Sequence, residues 1–252
     1  MALRNDRLVS LAALLAIISL WEIVCQLKLI SPLLLAAPHD IVLWLGEHLT
    51  SGDLWMHIAV TLRRVSLAFV LSSSIGIPLG VVMGYFPTLE KVLTLPVDFC
   101  RSIPATALFP LFLIFFGPGE GPRVAAAIYG ASLIIAINTM SGIKQADTIR
   151  VQAAKVMGAA GLRLFARVLL PEAMPSILTG LRLGVSLAFV IVVLVEMFVG
   201  TSAGIGHRLI DAQTLYEIPE VYALIFIAGL LGYLINQLFV FMEGRIAHYV
   251  GR

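Results

Sequence analysis

Charged residues are scarce in this sequence. Only 13% of its 252 residues are Asp, Glu, Lys or Arg, whereas 60% are hydrophobic, and the mean hydropathy is +0.99. A soluble globule of this length needs far more polar surface than that. The composition therefore predicts an integral membrane protein. A net charge of +2, with no basic run interleaved with aromatic residues, also argues against a nucleic-acid-binding protein.

Cysteine is nearly absent as well. Cys25 and Cys100 each lie in or beside an apolar segment. We interpret both as packing residues, because two such cysteines build neither a disulfide framework nor a zinc site. His39, His48 and His57 recur in nine-residue steps rather than at helical i, i+3 or i+4 spacing, so the sequence predicts no metal site.

A phosphate-binding loop of the form GxxxxGK[ST] is missing too. The glycine-rich stretch GTSAGIG at residues 200–206 lacks the lysine that such a loop needs. The chain is therefore expected to be no enzyme and to bind no cofactor by itself. Any ATP hydrolysis must come from a partner chain.

Long apolar runs dominate what is present. Five of them approach the roughly 20 residues that a membrane-spanning helix needs. They cover residues 8–27, 65–85, 124–140, 177–199 and 221–242. A sixth run, 93–117, is interrupted by Asp98, Arg101, Pro104 and Pro110. Such a break is tolerated only beside protein or a water-filled cavity. We therefore predict an all-α membrane protein with about six transmembrane helices, whose broken span is a candidate pathway segment.

The distribution of Lys and Arg predicts the orientation. More of them flank the runs on one side, which places both termini in the cytoplasm. The first run is longer than the roughly 7–15 apolar residues of a signal peptide, so we interpret it as an uncleaved anchor. We divide the chain into residues 1–64, an anchor helix with an outer amphipathic segment, and residues 65–252, a core domain with a cytoplasmic hairpin at 144–176.

A polar, basic segment punctuated by glycine interrupts the apolar runs at residues 151–175, VQAAKVMGAAGLRLFARVLLPEAMP. Asp147 is a candidate cap for a helix over 148–157. Gly158 and Gly161 then predict a sharp turn, and a second short helix is expected over 162–170.

Seven residues of this segment have the order and spacing of the EAA loop, E-A-A-x3-G-x9-I-x-L-P, and so resemble ABC importer permeases. They are Gln152, Ala153, Ala154, Gly158, Val168, Leu170 and Pro171. Gln152 stands where the family usually has Glu, and Val168 where it has Ile. Residues 102–123, 170–184 and 195–212 further resemble the permeases of the nitrate, sulfonate, taurine and bicarbonate importer group.

The resemblance implies the type I ABC importer permease fold in the bacterial inner membrane. It implies import of a small solute, such as one of those anions, that an extracytoplasmic binding protein delivers. It also implies a second permease copy, most simply an identical one, and two ATP-binding subunits that hold ATP and Mg. The short helix over 162–170 would then be the coupling helix, which sits in a groove of the ATPase.

The residues that the resemblance assigns to ATPase coupling are Gln152, Ala153, Ala154, Gly158, Gly161, Leu162, Arg163, Phe165, Arg167, Leu170 and Pro171. An ordinary amphipathic connection, with its basic residues against lipid phosphate, is the alternative for this segment.

Polar residues within the apolar runs are candidates for the translocation pathway, because a charge at mid-bilayer costs about 2.5 to 3.5 kcal/mol. The guanidinium of Arg101 suits the oxygens of an anion, although contact with lipid headgroups is an equal alternative. Glu196 could line a gate or bind a donor on another helix. The full set of candidates is Arg101, Ser102, Asn138, Glu196, Thr201 and Ser202. Its neutral members are also common in helix packing.

Two rows of glycines predict close helix packing. Gly76, Gly80 and Gly84 recur every four residues, and Gly180 and Gly184 repeat this spacing. Such rows promote helix association in lipid, within one subunit or between two.

Two other functional classes remain open. A secondary carrier would show an internal repeat, paired broken helices and an ion site. A structural membrane scaffold would lack the fixed Ala-Ala-x3-Gly spacing.

Overall fold

The computed structural model describes residues 2–198 and 202–250, and within these residues all regular structure is helical. The described residues form eleven α-helices: α1 (Ala2–Gln26), α2 (Pro38–Ser51), α3 (Asp53–Tyr85), α4 (Pro87–Ser102), α5 (Phe109–Phe116), α6 (Glu120–Lys144), α7 (Thr148–Val156), α8 (Gly161–Leu164), α9 (Leu170–Glu196), α10 (Ile205–Thr214) and α11 (Ile218–Val250). A 3₁₀ turn, Ala105–Leu108, precedes α5, and a π-helical turn, Phe165–Leu169, joins α8 to α9. The predicted all-α fold class is confirmed.

Four helices are long and apolar enough to cross a bilayer. They are α3, α6, the described part of α11, and the continuous helix Gly161–Glu196 that α8, the π-helical turn and α9 form together. Each contains all or most of one of the predicted runs. The first predicted run lies in α1, a helix of 25 residues, whose apolar part includes Ala12–Gln26. A sixth span stays a prediction.

The predicted break in the third run lies between α4 and α5. The axes of Pro87–Ser102 and Ala105–Phe116 differ by 83°, and the two together make a fifth candidate span. Ile103 adopts an extended conformation, with φ −84° and ψ 121°. The following Pro104 explains this conformation, because a proline ring disfavours helical geometry in the residue before it.

Helix α6 lies at the centre of the bundle, between α3 and α9. A Cβ atom on Gly76 of α3 would come within 2.6 Å of the carbonyl oxygen of Ser132, and one on Gly184 of α9 within 2.7 Å of Ile135 Cγ1. Gly80, Gly84 and Gly180 contact α6 in the same way. Both glycine rows therefore pack within this chain, where bare backbone lets the helices approach closely.

The segment before the bundle is largely helical. Helix α2 and the first turns of α3 occupy the predicted outer amphipathic segment, and Leu54 and Ile58 pack against Ile205 and Leu224. Helix α3 runs without interruption across position 64/65, so the proposed domain boundary lies inside a helix. The two segments are joined by continuous helical hydrogen bonding there, and the division into domains stays a prediction.

Candidate functional site

The predicted hairpin is present at one end of the bundle, as α7, a turn and α8. Helix α7 begins after Asp147, whose Oδ1 accepts the backbone N–H of Ile149 at 2.8 Å. That hydrogen bond, together with the Arg150 side chain, holds the pKa of the Asp147 carboxyl below its usual value. Gly158 has φ +85° and Gly161 has φ +53°. Both values lie in the left-handed region, which glycine enters at little cost, so these two residues make the turn.

The second element of the hairpin differs from the prediction. A separate short helix was expected over 162–170, whereas the helix starts at Gly161 and continues through the π-helical turn to Glu196. Pro171 explains the local geometry, because proline lacks an N–H and clashes with the carbonyl four residues earlier in an α-helix. In the wider turn, the Leu170 N–H bonds to the carbonyl of Phe165. The second arm of the hairpin is therefore the end of a spanning helix.

Glu172 connects α7 to this long helix through a hydrogen bond and an ion pair. Its Oε2 accepts the backbone N–H of Asp147 at 2.6 Å, and its Oε1 lies 2.8 Å from Arg150 Nε. The rings of Tyr85 and Phe165 meet edge to face, with their centroids 5.6 Å apart. These contacts join both arms of the hairpin to the bundle.

Large apolar side chains point away from the bundle on this hairpin. Val156 is 89% exposed, and Met157 and Leu162 are each 81% exposed. They adjoin the Gly158–Gly161 turn. Of these three, only Leu162 was a predicted coupling residue. The remaining predicted coupling residues fall into three groups: Gln152, Ala153, Gly158, Gly161, Arg163 and Arg167 are exposed, Phe165, Leu170 and Pro171 are half-buried, and Ala154 is buried. A contiguous exposed apolar surface is typical of a protein interaction site.

The predicted pathway residues lie in different parts of the fold. Ser102 Oγ donates to the carbonyl of Asp98 at 2.9 Å, and Arg101 forms an exposed ion pair with the Asp98 carboxylate. The Asn138 side chain bonds to the carbonyl of Ile134 within α6. Glu196 is buried at the end of α9 opposite the hairpin. Ser202 is exposed, and Thr201 lies outside the described residues.

A cavity of about 290 Å³ opens beside the break between α4 and α5. Arg101, Thr106 and Tyr129 line it together with apolar side chains of α6 and α9, such as Leu133 and Leu187. Tyr129 Oη donates to the carbonyl of Cys100 at 2.6 Å, which occupies one backbone acceptor near the broken turn. A broken span that borders a cavity and carries a guanidinium is a suitable place for an anion.

A group of charged and polar residues lies at the end of the bundle far from the hairpin, and the sequence reasoning had named only one of its members, Glu196, as a candidate site residue. We call Thr61, Arg64, Glu120, Arg123 and Glu196 the charged cluster. Arg64 is 3% exposed, and it donates from Nε and Nη2 to the two carboxylate oxygens of Glu120, at 2.9 and 2.5 Å. Its Nη1 donates to Glu196 Oε1 at 2.6 Å. One guanidinium of α3 thereby binds carboxylates of α6 and α9.

The start of α10 completes the surroundings of Glu196. Its carboxylate accepts the Thr61 hydroxyl at 2.8 Å and the backbone N–H of Gly206 at 3.1 Å. Thr61 Oγ1 in turn accepts the backbone N–H of Ile205 at 2.9 Å. The sequence contained one signal for this cluster, since Thr61 and Arg64 stand one helical turn apart directly before an apolar run.

Comparison with known proteins agrees with this geometry. Residues 76–250 match the family described as binding-protein-dependent transport system inner membrane component. A putative ABC transporter permease protein of Methanocaldococcus jannaschii is 36% identical over 197 residues, which cover 78% of this chain and 74% of the relative. A putative aliphatic sulfonates transport permease protein of Bacillus subtilis is 30% identical over 230 residues, which cover 91% and 83%.

The fold also has a solved counterpart. A chain of the MetNI methionine ABC transporter in an inward-facing conformation superposes with a TM-score of 0.66 at 22% identity, and the match covers 79% of this chain and 98% of that one. At this level of sequence identity, the structural similarity is evidence for the fold alone. Taken with the family match, it shows that the chain is a multi-pass membrane permease that belongs to the inner-membrane components of binding-protein-dependent ABC transport systems.

Proposed function

We propose that this chain is the permease subunit of an ATP-driven importer and that the hairpin of α7 and α8 is where a separate ATPase subunit docks. The observation that carries the proposal is the exposed apolar surface of Val156, Met157 and Leu162 beside the turn of the hairpin. Such side chains are stable in water only at a cost, which a protein partner removes. In this proposal the hairpin and both termini are cytoplasmic, and the membrane is the bacterial inner membrane.

The proposed docking surface differs from the one that the sequence suggested. It consists of the end of α7 and the turn that follows, in place of an isolated helix over 162–170. Arg163 and Arg167, both exposed and four residues apart, flank this surface and could contact acidic groups of the ATPase. The contacts of Glu172 support transmission of ATPase movement to α9.

The proposed complex has several components. Two ATPase subunits hold ATP and Mg, a second permease copy, most simply identical, completes the pathway, and an extracytoplasmic binding protein delivers the solute. This chain hydrolyses no ATP. The Bacillus subtilis relative is named for aliphatic sulfonates, and the guanidinium of Arg101 beside the cavity suits an anion of that kind. We therefore propose import of a small anion, with sulfonates including taurine as the first candidates, and nitrate or bicarbonate as the next.

Two leucine variants test the docking surface. L162E places a charge on the exposed apolar surface of the hairpin, and L215E makes the same change at a 67% exposed leucine between α10 and α11. We expect L162E to reduce ATPase co-purification by roughly tenfold, and L215E to leave it within about twofold. Equal co-purification with both variants would contradict docking at the hairpin.

A reconstitution experiment tests the transport activity. The chain and its co-purified ATPase are placed in nanodiscs, and ATP hydrolysis is measured with binding proteins loaded with different solutes. Stimulation by a sulfonate-loaded binding protein supports the proposed substrate class. Stimulation only by an uncharged solute would contradict it while leaving the importer proposal intact.

A further inference from the structure

Among the residues that the structure describes, the second buried arginine of the charged cluster has no counter-charge within hydrogen-bonding distance. Arg123 is 2% exposed, and its Nη1 donates to the carbonyl of Gly119. Its Nε and Nη2 have no hydrogen-bond partner in the part of the chain that the structure describes. A buried charged group without a partner is costly. The contacts seen in this arrangement therefore do not explain why position 123 carries an arginine.

The two carboxylates of the charged cluster are not divided equally between its two arginines. Arg64 binds Glu120 through two nitrogens and Glu196 through a third, so one buried arginine holds both carboxylates. Arg123 holds neither of them, although it interacts with both at longer range. The cluster contains two buried arginines and two glutamates, which is enough for one carboxylate on each arginine.

Glu120 is the member of the cluster that is free to change partner. Its side chain is 47% exposed, whereas Glu196 is buried and held by groups of α3 and α10. Glu120 and Arg123 stand three residues apart on α6, a spacing at which opposite charges meet on one helix face. The hydrogen bond to Gly119 turns the Arg123 guanidinium toward the start of α6, where Glu120 lies.

We propose that the Glu120 carboxylate alternates between Arg64 and Arg123 and that this exchange is a latch between α3 and α6. In the latched arrangement, which this structure shows, Glu120 ties α6 to α3. In the released arrangement, Glu120 pairs with Arg123 inside α6, and Arg64 keeps Glu196. Each buried arginine then has one carboxylate, which compensates the charge that the latched arrangement leaves unpaired.

The segment 202–206 is positioned to drive the exchange. The carbonyl of Ala203 accepts from Arg64 Nη1 at 2.7 Å, and the N–H of Gly206 donates to Glu196. A displacement of this segment changes the position of the Arg64 guanidinium and so its hold on Glu120. The latch lies at the end of the bundle opposite the hairpin, and its release frees the start of α6 to separate from α3 during transport.

The variant R123M tests the latch, because it removes the second partner and none of the ion pairs that the structure shows. Uptake of radiolabelled taurine and of ethanesulfonate is measured in proteoliposomes that contain the full importer. We expect uptake to fall by roughly tenfold, with no decrease in the thermal unfolding midpoint, because an uncompensated buried charge has been removed. R123M with the uptake of the parental chain would overturn the latch.

Three further variants separate charge from shape. R123K keeps the charge and is expected to retain uptake within about threefold, so an equal loss in R123K and R123M would overturn the proposal. E120Q keeps an oxygen for Arg64 but loses the charge that Arg123 attracts, and we expect a loss of roughly fivefold. E120Q also tests the latch if R123M fails to fold, because parental uptake in E120Q would overturn the latch. R63M, at the exposed arginine that also contacts Glu120, is the control and should change uptake by less than about twofold.

A distance measurement that does not depend on transport tests the latch independently of the proposed function. Spin labels on cysteines introduced at Ala59 of α3 and Pro118 before α6, in a background with Cys25→Ser and Cys100→Ser, report the separation of the two helix ends. We expect two distance populations in the parental chain and only the shorter one in R123M. The same single population in both would overturn the latch, even where the parental chain imports neither sulfonate.

Discussion

Arg64 Nη1 and Glu196 Oε1 lie 2.6 Å apart although the two residues are 132 positions apart in the sequence. Their side chains are 3% and 0% exposed. A buried ion pair of this kind stabilises little relative to an apolar pair, but removal of the arginine leaves the Glu196 carboxylate buried without this counter-charge. The pair therefore makes the packing of α3 against α9 depend on both residues.

Removal of one partner of this pair should be strongly destabilising. We expect R64M to lower the free energy of unfolding by about 3–5 kcal/mol, because Glu196 then stays buried without its arginine. The double variant R64M/E196M should be less destabilised than R64M, since both charges are gone. Chemical denaturation in detergent micelles measures both variants. A double variant that is as unstable as the sum of the single variants would contradict a direct pairing.

The glycine row of α3 should tolerate no side chain. In G76A the new Cβ would meet the carbonyl of Ser132 at 2.6 Å, so we expect a loss of about 1–3 kcal/mol in stability. Gly229 of α11 has no atom within 4 Å of such a Cβ, and G229A should instead be neutral or stabilise the helix by roughly 0.5–1 kcal/mol. Thermal unfolding of the two variants provides the comparison. Equal destabilisation would show that helix α3 does not pack as described.

The stabilisation of α7 by its Asp147 cap should decrease at low pH. The Ile149 N–H holds the pKa of Asp147 below its usual value, so the native state favours the ionised carboxyl. The stabilisation is present above the pKa of the Asp147 carboxyl in the unfolded chain, about 3.9. It is lost as the pH falls through the lower pKa that this carboxyl has in the native state. Amide hydrogen exchange over 148–156 should show α7 protected at neutral pH and less protected below about pH 4. In D147A, reduced protection should already be present at neutral pH, and unchanged protection there would contradict the cap.

Glu172 should matter for coupling more than for docking. E172A removes the contacts to the Asp147 N–H and to Arg150 but leaves the exposed apolar surface of the hairpin intact. We expect the ATPase to co-purify at the parental level while solute imported per ATP hydrolysed falls by roughly fivefold. E47A, at an exposed glutamate of α2, is the matched control. Loss of co-purification in E172A alone would assign Glu172 to docking.

Features that depend on neighbouring residues were predicted from the sequence. The break at Pro104, the turn at Gly158 and Gly161, and four of the long apolar helices follow from local rules for proline, glycine and spanning length. The helix over 162–170 was misjudged for a related reason. Pro171 ordinarily ends a helix, and the π-helical turn that accommodates it depends on how α9 packs.

The sequence by itself determined the class of protein, the positions of its spans and the location of the hairpin, because these depend on composition and on the order of adjacent residues. The tertiary structure alone decided which residues meet. Arg64 stands directly before an apolar run in the sequence, and the structure shows that it binds Glu120 and Glu196. The physical reason is that the rotation and register of packed helices arise from close contacts, such as Gly76 on Ser132. The hydropathy of each helix taken separately contains no information about those contacts.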